Sequence, residues 1–219
     1  MKTFLALSAI AVSIIVFSCS INSGKPDSKQ LQANRILYEA AGRGDIAKVN
    51  EQLVLGADVN SVHEPDNMSP LILAAENNID VVRLLIGKGA NLDWQDRQGK
   101  TALIKASYAN KIDIVKLLIE SGARASMRDQ FGDTALMSAV FRGEPLLVEY
   151  LLAQGDSPLL VNHVGDTPLI VAKRLVGYVE KMDDSDAHAH HQHTDDDHVV
   201  VDKNSALVAR NEIIRLLSR

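Results

Sequence analysis

The chain has a single cysteine, Cys19, in 219 residues, and only 4% of its residues are aromatic. One cysteine excludes an intramolecular disulfide and any metal site built from several thiolates. It suits an oxidising compartment, because no second thiol is available for mispairing. The apolar content of 46% with few aromatics is typical of helices rich in Ala, Leu and Val.

An excess of positive charge is also absent. The chain carries 23 basic and 28 acidic residues, a net charge of −5. Loss of an N-terminal signal would remove Lys2 and no acid, which leaves the remainder more acidic still. A surface that binds phosphates is expected to be basic, so we expect no nucleic-acid partner.

Recognisable catalytic motifs are missing as well. The sequence contains no nucleophile elbow, phosphate-binding loop or dinucleotide fingerprint. His63 and His163 fall in turns, with no positioned Ser or Cys beside them. We therefore expect that the protein is not an enzyme and requires no cofactor.

What the sequence does contain is a repeat of 33 residues, marked by Gly56, Gly89, Gly122 and Gly155. A second landmark recurs in the same register: Ser69-Pro70-Leu71, Thr101-Ala102-Leu103, Thr134-Ala135-Leu136 and Thr167-Pro168-Leu169. A Ser or Thr hydroxyl caps a helix N-terminus, and Pro fits the first helical position. Apolar residues at helical spacing follow, and Gly is suited to the left-handed conformation that ends a helix. Each unit is thus predicted to be two short helices and an extended turn.

The pattern resembles the ankyrin repeat. The resemblance is carried by Gly132-Asp133-Thr134-Ala135-Leu136, by Gly165-Asp166-Thr167-Pro168-Leu169 and by Gly56-Ala57-Asp58-Val59-Asn60. It implies an all-α solenoid of about five helix-turn-helix repeats with hairpin-like turns, near residues 30–62, 63–95, 96–128, 129–161 and 162–219. The His that the family places after Thr-Pro-Leu is replaced by Ile72, Ile104, Met137 and Ile170. We expect apolar contacts at these positions instead of the family's hydrogen bonds.

The N-terminus has the pattern of an export signal. Lys2 precedes an apolar stretch over residues 4–17, which is short for a membrane span and fits a signal-peptide core. Val16-Phe17-Ser18-Cys19 resembles a bacterial lipobox. The resemblance implies a signal over residues 1–18, a lipidated Cys19 and a polar tether over 19–29. The protein would then lie on the periplasmic side of the cell envelope, in the outer membrane rather than the inner. A plain secretory signal and a retained membrane anchor are the alternatives.

The last repeat contains a segment rich in His and Asp. Five of the seven histidines are His188, His190, His191, His193 and His198. Imidazole binds Zn²⁺, Cu²⁺ and Ni²⁺, and carboxylates can complete the ligand shell. The alternative is a solvated low-complexity loop without a fixed partner. The segment is interpreted as an insertion over residues 181–204 within repeat five, or else as a degenerate sixth repeat.

The resemblance also implies a concave groove formed by the turn tips and the first helices, in which a protein partner would bind. The matching positions select Met68, Glu76, Asn77, Trp94, Arg97, Gln98, Lys100, Tyr108, Ala109, Gln130, Phe131, Asp133, Phe141, Arg142, His163, Val164, Asp166 and Arg174. Tyr108, Phe131 and Phe141 stand out because aromatics are scarce and are common interface anchors. The alternative for each aromatic is packing against the neighbouring repeat.

Overall fold

A computed structural model describes residues 28–181 and 203–218, which form helices joined by turns. The helices are α1 (Ser28–Arg43), α2 (Ile46–Val54), α3 (Pro70–Ala74), α4 (Ile79–Gly87), α5 (Ala102–Tyr108), α6 (Ile112–Glu120), α7 (Ala135–Arg142), α8 (Pro145–Ala153), α9 (Pro168–Lys181) and α10 (Lys203–Leu217). Within these residues the backbone has no β-strand, only an isolated bridge between His63 and Met68. The hairpin-like turns are therefore tips whose backbones are joined to one another by single hydrogen bonds, without paired strands.

The first helix of each repeat from the second onward begins at the predicted cap. The hydroxyls of Ser69, Thr101, Thr134 and Thr167 accept a hydrogen bond from the backbone N–H three residues later, at 3.2 to 3.4 Å. Each bond satisfies one of the N–H groups that a helix N-terminus leaves without a partner. The predicted role of the Gly landmark is also confirmed, because Gly56, Gly89, Gly122 and Gly155 all have positive φ.

The helices form two rows. The inner row packs α1 on α3, α3 on α5, α5 on α7 and α7 on α9, while α2 packs on α4, α4 on α6 and α10 on α8 in the outer row. Small residues such as Ala74, Ala106 and Ala139 are almost completely buried where the inner helices meet. The core therefore runs the length of the stack between the rows, as expected for an all-α ankyrin solenoid.

Three of the four residues that replace the family's His are buried. Ile72, Ile104 and Met137 are at most 2% exposed, in line with the expected apolar contacts. Ile170 departs from this expectation, because 42% of it is exposed. In the described part of the chain α9 has an inner-row neighbour on one side only, α7, so one face of Ile170 stays uncovered.

The last helix pair is longer than the others. Helix α9 has 14 residues and α10 has 15, and α10 packs against both α9 and α8. Lys181 belongs to α9, and Lys203 and Asn204 belong to α10, so both ends of the predicted insertion 181–204 are helical. Helix α1 begins at Ser28, so residues 28 and 29 of the predicted tether 19–29 are helical, and its other residues lie outside the described residues. None of the helices in residues 28–181 and 203–218 is long and apolar enough to cross a membrane.

Candidate functional site

The turn tips are shaped by a recurring side chain. The Oδ1 atom of Asp96 accepts hydrogen bonds from the backbone N–H groups of Gln98 and Lys100, both at 2.8 Å. Asp129 makes the same pair of bonds to residues 131 and 133, and Asn162 makes it to 164 and 166. Because these side chains are held inside their tips, the residue before each Thr cap has a fixed position.

Neighbouring tips are joined through the backbone. The N–H of Arg97 donates to the carbonyl of Asp66 at 2.9 Å, that of Gln130 to Gln98 at 2.8 Å, and that of His163 to Phe131 at 2.9 Å. The close contact between the tips of Phe131 and His163 requires glycine at position 132. The φ of Gly132 is +80°, and an added Cβ would lie 2.9 Å from the backbone nitrogen of His163. A side chain at this glycine would push the two tips apart.

Three aromatic side chains meet on the groove surface. Tyr108, Phe131 and Phe141 are 46%, 57% and 51% exposed, and all three line one pocket of about 260 Å³. The rings of Tyr108 and Phe141 lie 6.2 Å apart between centroids with an angle of 18°. Ile104 and Met137, both buried, contribute to the lining beneath them. An exposed aromatic cluster over an apolar floor is a common anchor surface for a partner.

Two cationic side chains flank Tyr108. The Lys100 Nζ atom lies 5.7 Å from the centre of the Tyr108 ring, and the Arg142 Cζ atom lies 5.2 Å from it. Both distances are within the range of cation–π attraction. Positive charge therefore lies at the Tyr108 end of the groove.

A second pocket of about 230 Å³ adjoins the first and shares Asp133, Met137 and Phe141 with it. Its other walls include Val164, which is 76% exposed, and the ion pair between Asp166 and Arg174. The second hydrogen bond of that pair, from Arg174 Nη2 to Asp166 Oδ1, is 2.8 Å long. The Asp166 charge is thus neutralised within the chain.

Asp133 lies in an unfavourable environment for a carboxylate. Burial raises its pKa above the ordinary value, and the charges of Asp129 and Asp166 raise it further. A 2.9 Å hydrogen bond from Asn162 Nδ2 and the charge of His163 oppose the shift. Asp133 thus lies at the centre of a group of three acidic residues, with Asp129 and Asp166, at the end of the groove away from Tyr108.

The remaining predicted residues lie outside both pockets, and several of them have partners within the chain. Trp94 packs on the core, and its indole N–H donates to the carbonyl of Asn67 at 2.9 Å. Glu76 pairs with Lys105 at 2.9 Å, and Arg97 lies 3.9 Å from Glu64. The residues that line neither pocket are Met68, Glu76, Asn77, Trp94, Arg97, Gln98, Ala109, Gln130, Arg142 and His163.

Sequence reasoning missed the residues that support the pockets from below. Asp129, Asn162, Ile104, Met137, Ser138, Val171 and Leu175 line one pocket or the other. The sequence contains a signal for Asp129 and Asn162, because Asp96, Asp129 and Asn162 each precede a Gly by three residues and follow one another at intervals of 33 residues.

Cys19 and the five histidines from His188 to His198 lie outside the described residues. Within residues 28–181 and 203–218 there is no group of three or more potential metal ligands.

Comparison with known proteins supports the resemblance found in the sequence. The family model for three ankyrin repeats matches residues 37–129, and the single ankyrin repeat matches residues 131–163. Together these matches cover more than half of the chain, which therefore belongs to the ankyrin-repeat family. Proteins of this family are generally interaction scaffolds that bind other proteins.

A curated relative is a fowlpox virus (strain NVSL) protein named for its ankyrin repeats. It is 39% identical over 69 residues, which are 31% of this chain and 17% of the viral protein. The chain thus spans less than a fifth of that relative's length.

Proposed function

We propose that the protein is a non-enzymatic scaffold that holds a protein partner in its concave groove, exported and lipid-anchored through Cys19 on the periplasmic side of a bacterial envelope. The observation that carries the binding role is the convergence of Tyr108, Phe131 and Phe141 on one pocket, each about half exposed. Monomeric proteins rarely leave such clusters open without a use for them. The anchor rests on the sequence around Cys19.

The binding role is tested by chemical crosslinking and capture from the native envelope fraction. The bait is the full chain, compared with a variant in which Tyr108, Phe131 and Phe141 are all changed to Ala. A matched control changes Val54, Leu55 and Leu146 to Ala, since these are also exposed apolar residues but lie in or beside the outer-row helices. We expect one protein to be retained by the chain and the control and lost from the groove variant. Equal retention by all three would contradict the groove.

The anchor is tested separately. Cells are fed a clickable fatty acid, and the chain is compared with Cys19→Ser. We expect the label and the membrane association to depend on Cys19, because it is the only cysteine. A secreted but unlabelled wild-type chain would favour a plain secretory signal instead.

A second candidate function is metal binding by the segment of residues 183–198, favoured by its five histidines among acidic residues. Titration of Zn²⁺, Cu²⁺ and Ni²⁺ into the chain, beside a deletion of residues 183–198, tests it. Affinity that vanishes with the deletion and weakens as His protonates near its reference pKa of about 6.5 is expected. If the deletion leaves partner capture intact, the segment is an accessory to the scaffold; if both are lost, the segment acts on the groove.

A further inference from the structure

Asp133 occupies the boundary between the two pockets and lines both of them. It is half-buried, and its Oδ1 atom accepts a single hydrogen bond, from Asn162 Nδ2. Its position is fixed, because its own backbone N–H donates to Asp129 at 3.0 Å. Asp133 is therefore part of the wall of both pockets.

Within residues 28–181 and 203–218, no Lys or Arg forms an ion pair with Asp133. The two cations that line the pockets, Lys100 and Arg174, have other partners. The Lys100 ammonium lies over the Tyr108 ring, and the Arg174 guanidinium is bound to Asp166. The acids Asp129 and Asp166 face Asp133, and His163 is the one basic group that favours its charge. A cation supplied from outside would compensate the cost of the buried charge.

The walls around Asp133 suit a long basic side chain. Phe131 and Phe141 are both more than half exposed and line the pocket on which Asp133 opens. Aromatic faces attract cations, and they also cover the aliphatic stem of a lysine or arginine. An acidic side chain would instead be repelled by Asp133 and Asp129.

We propose that Asp133 anchors a lysine or arginine side chain of the protein partner, with the aliphatic stem of that side chain lying against Phe131 and Phe141. The inference rests on the proposed function, since it names the chemistry that the groove recognises. It assigns different partners to the two ends of the groove: a basic group of the partner at Asp133, and acidic or neutral groups at the Tyr108 end, where Lys100 and Arg142 supply positive charge.

The test uses a phage-displayed library of random peptides selected on the full chain. We expect Lys or Arg to be enriched in the selected peptides relative to the starting library. For one selected peptide, Asp133→Asn is expected to raise Kd about tenfold or more, because a charge-assisted contact is lost. The matched control Asp113→Asn removes the same charge from an exposed site on α6 and is expected to leave Kd unchanged.

A second arm separates direct contact from a general charge effect. Replacing the basic residue of the peptide by Gln should weaken binding to the wild-type chain, and Asp133→Asn should then cause no additional loss. Asp133→Asn keeps the side-chain oxygen that accepts the hydrogen bond from Asn162. It also removes a carboxylate charge that burial disfavours. The melting temperature of this variant is therefore expected not to fall.

Two results would overturn the anchor while leaving the scaffold role intact. One is a set of selected peptides without basic enrichment that still require Phe131 and Phe141 for binding. The other is equal weakening by Asp133→Asn and Asp113→Asn. Failure to select any peptide, together with failure of the envelope capture, would count against both the anchor and the proposed function.

Discussion

The two halves of the groove are built on the same turn motif but use their side chains differently. Beside repeats two and three, Trp94 is hydrogen-bonded to the backbone of Asn67, and Glu76 is paired with Lys105. Beside repeats four and five, Phe131 and Phe141 are exposed and the nearby carboxylate has no cationic partner among the described residues. The motif therefore fixes the scaffold in both halves, while the groups left for a partner lie mainly in the second half, with Tyr108 of repeat three beside them.

The interior of the stack also differs between the first three repeats and the fourth. The residue after the Gly at the end of each repeat is Ala57, Ala90 and Ala123 in the first three repeats but Asp156 in the fourth. Asp156 is 6% exposed, and neither of its carboxylate oxygens has a hydrogen-bond partner among the described residues. Burial raises its pKa to about 6, and the nearby backbone N–H groups of Ser157 and Leu136, which do not form full hydrogen bonds to the carboxylate, offset only part of this rise.

The largest expected effect compares Ile104 with Ile170, which occupy equivalent positions in repeats three and five. Ile104→Ala should lower the free energy of unfolding by about 2–5 kcal/mol, because it leaves a cavity in a site that is 2% exposed. Ile170→Ala should cost less than about 1 kcal/mol, since Ile170 is already 42% exposed. Urea unfolding of both variants measures the difference. Equal losses would mean that the two junctions are packed alike.

The next effect concerns Asp156 and pH. The pKa is higher in the folded chain, about 6 against an ordinary 3.8, so ionisation costs stability as the pH rises through this interval. The cost is complete at about pH 7 and above, and it amounts to about 3 kcal/mol. Asp156→Ala, which restores the residue of the other repeats, should raise the free energy of unfolding by up to this amount at pH 8, with a smaller gain at pH 4.

Unfolding curves at both pH values for the wild-type chain and Asp156→Ala measure the gain. Asp113→Ala serves as the control, because Asp113 is exposed and its substitution should give no comparable gain at pH 8. A stabilisation that is independent of pH would show that repacking, rather than the buried charge, is responsible.

The smallest expected effect compares Trp94, whose indole is hydrogen-bonded within the chain, with Phe131, whose ring is exposed. Trp94→Phe should lower the free energy of unfolding by roughly 0.5–1.5 kcal/mol, because the hydrogen bond to Asn67 is lost. Phe131→Ala should leave it within about 0.5 kcal/mol, since the ring is exposed. Thermal melts beside partner capture measure both. The comparison fails if Trp94→Phe abolishes capture without loss of stability.

The sequence was sufficient for features that depend on a few neighbouring residues. The caps at Ser69, Thr101 and Thr134 and the glycine endings follow from local backbone chemistry, and the 33-residue period placed them in register. The aromatic cluster was also located, because a regular stack brings equivalent positions together.

Features that depend on position within the stack were not predicted. Ile170 has the same local sequence context as Ile104, but its exposure depends on whether another repeat covers it. Trp94 was selected for the groove by its position in the repeat, and only the fold shows that its indole is bound to the neighbouring tip. The isolation of Asp133 depends on where Lys100 and Arg174 point, and the sequence does not determine that.

The backbone bonds between successive tips have a consequence for how such a protein can change over generations. Each of these tips is tied to the next by a backbone N–H to carbonyl bond, and that bond does not depend on which side chains occupy the recognition positions. Residues 100, 133 and 166 can therefore be exchanged one at a time while the others keep their places. Specificity can drift in small independent steps, whereas an inserted residue in a tip would shift every contact beyond it.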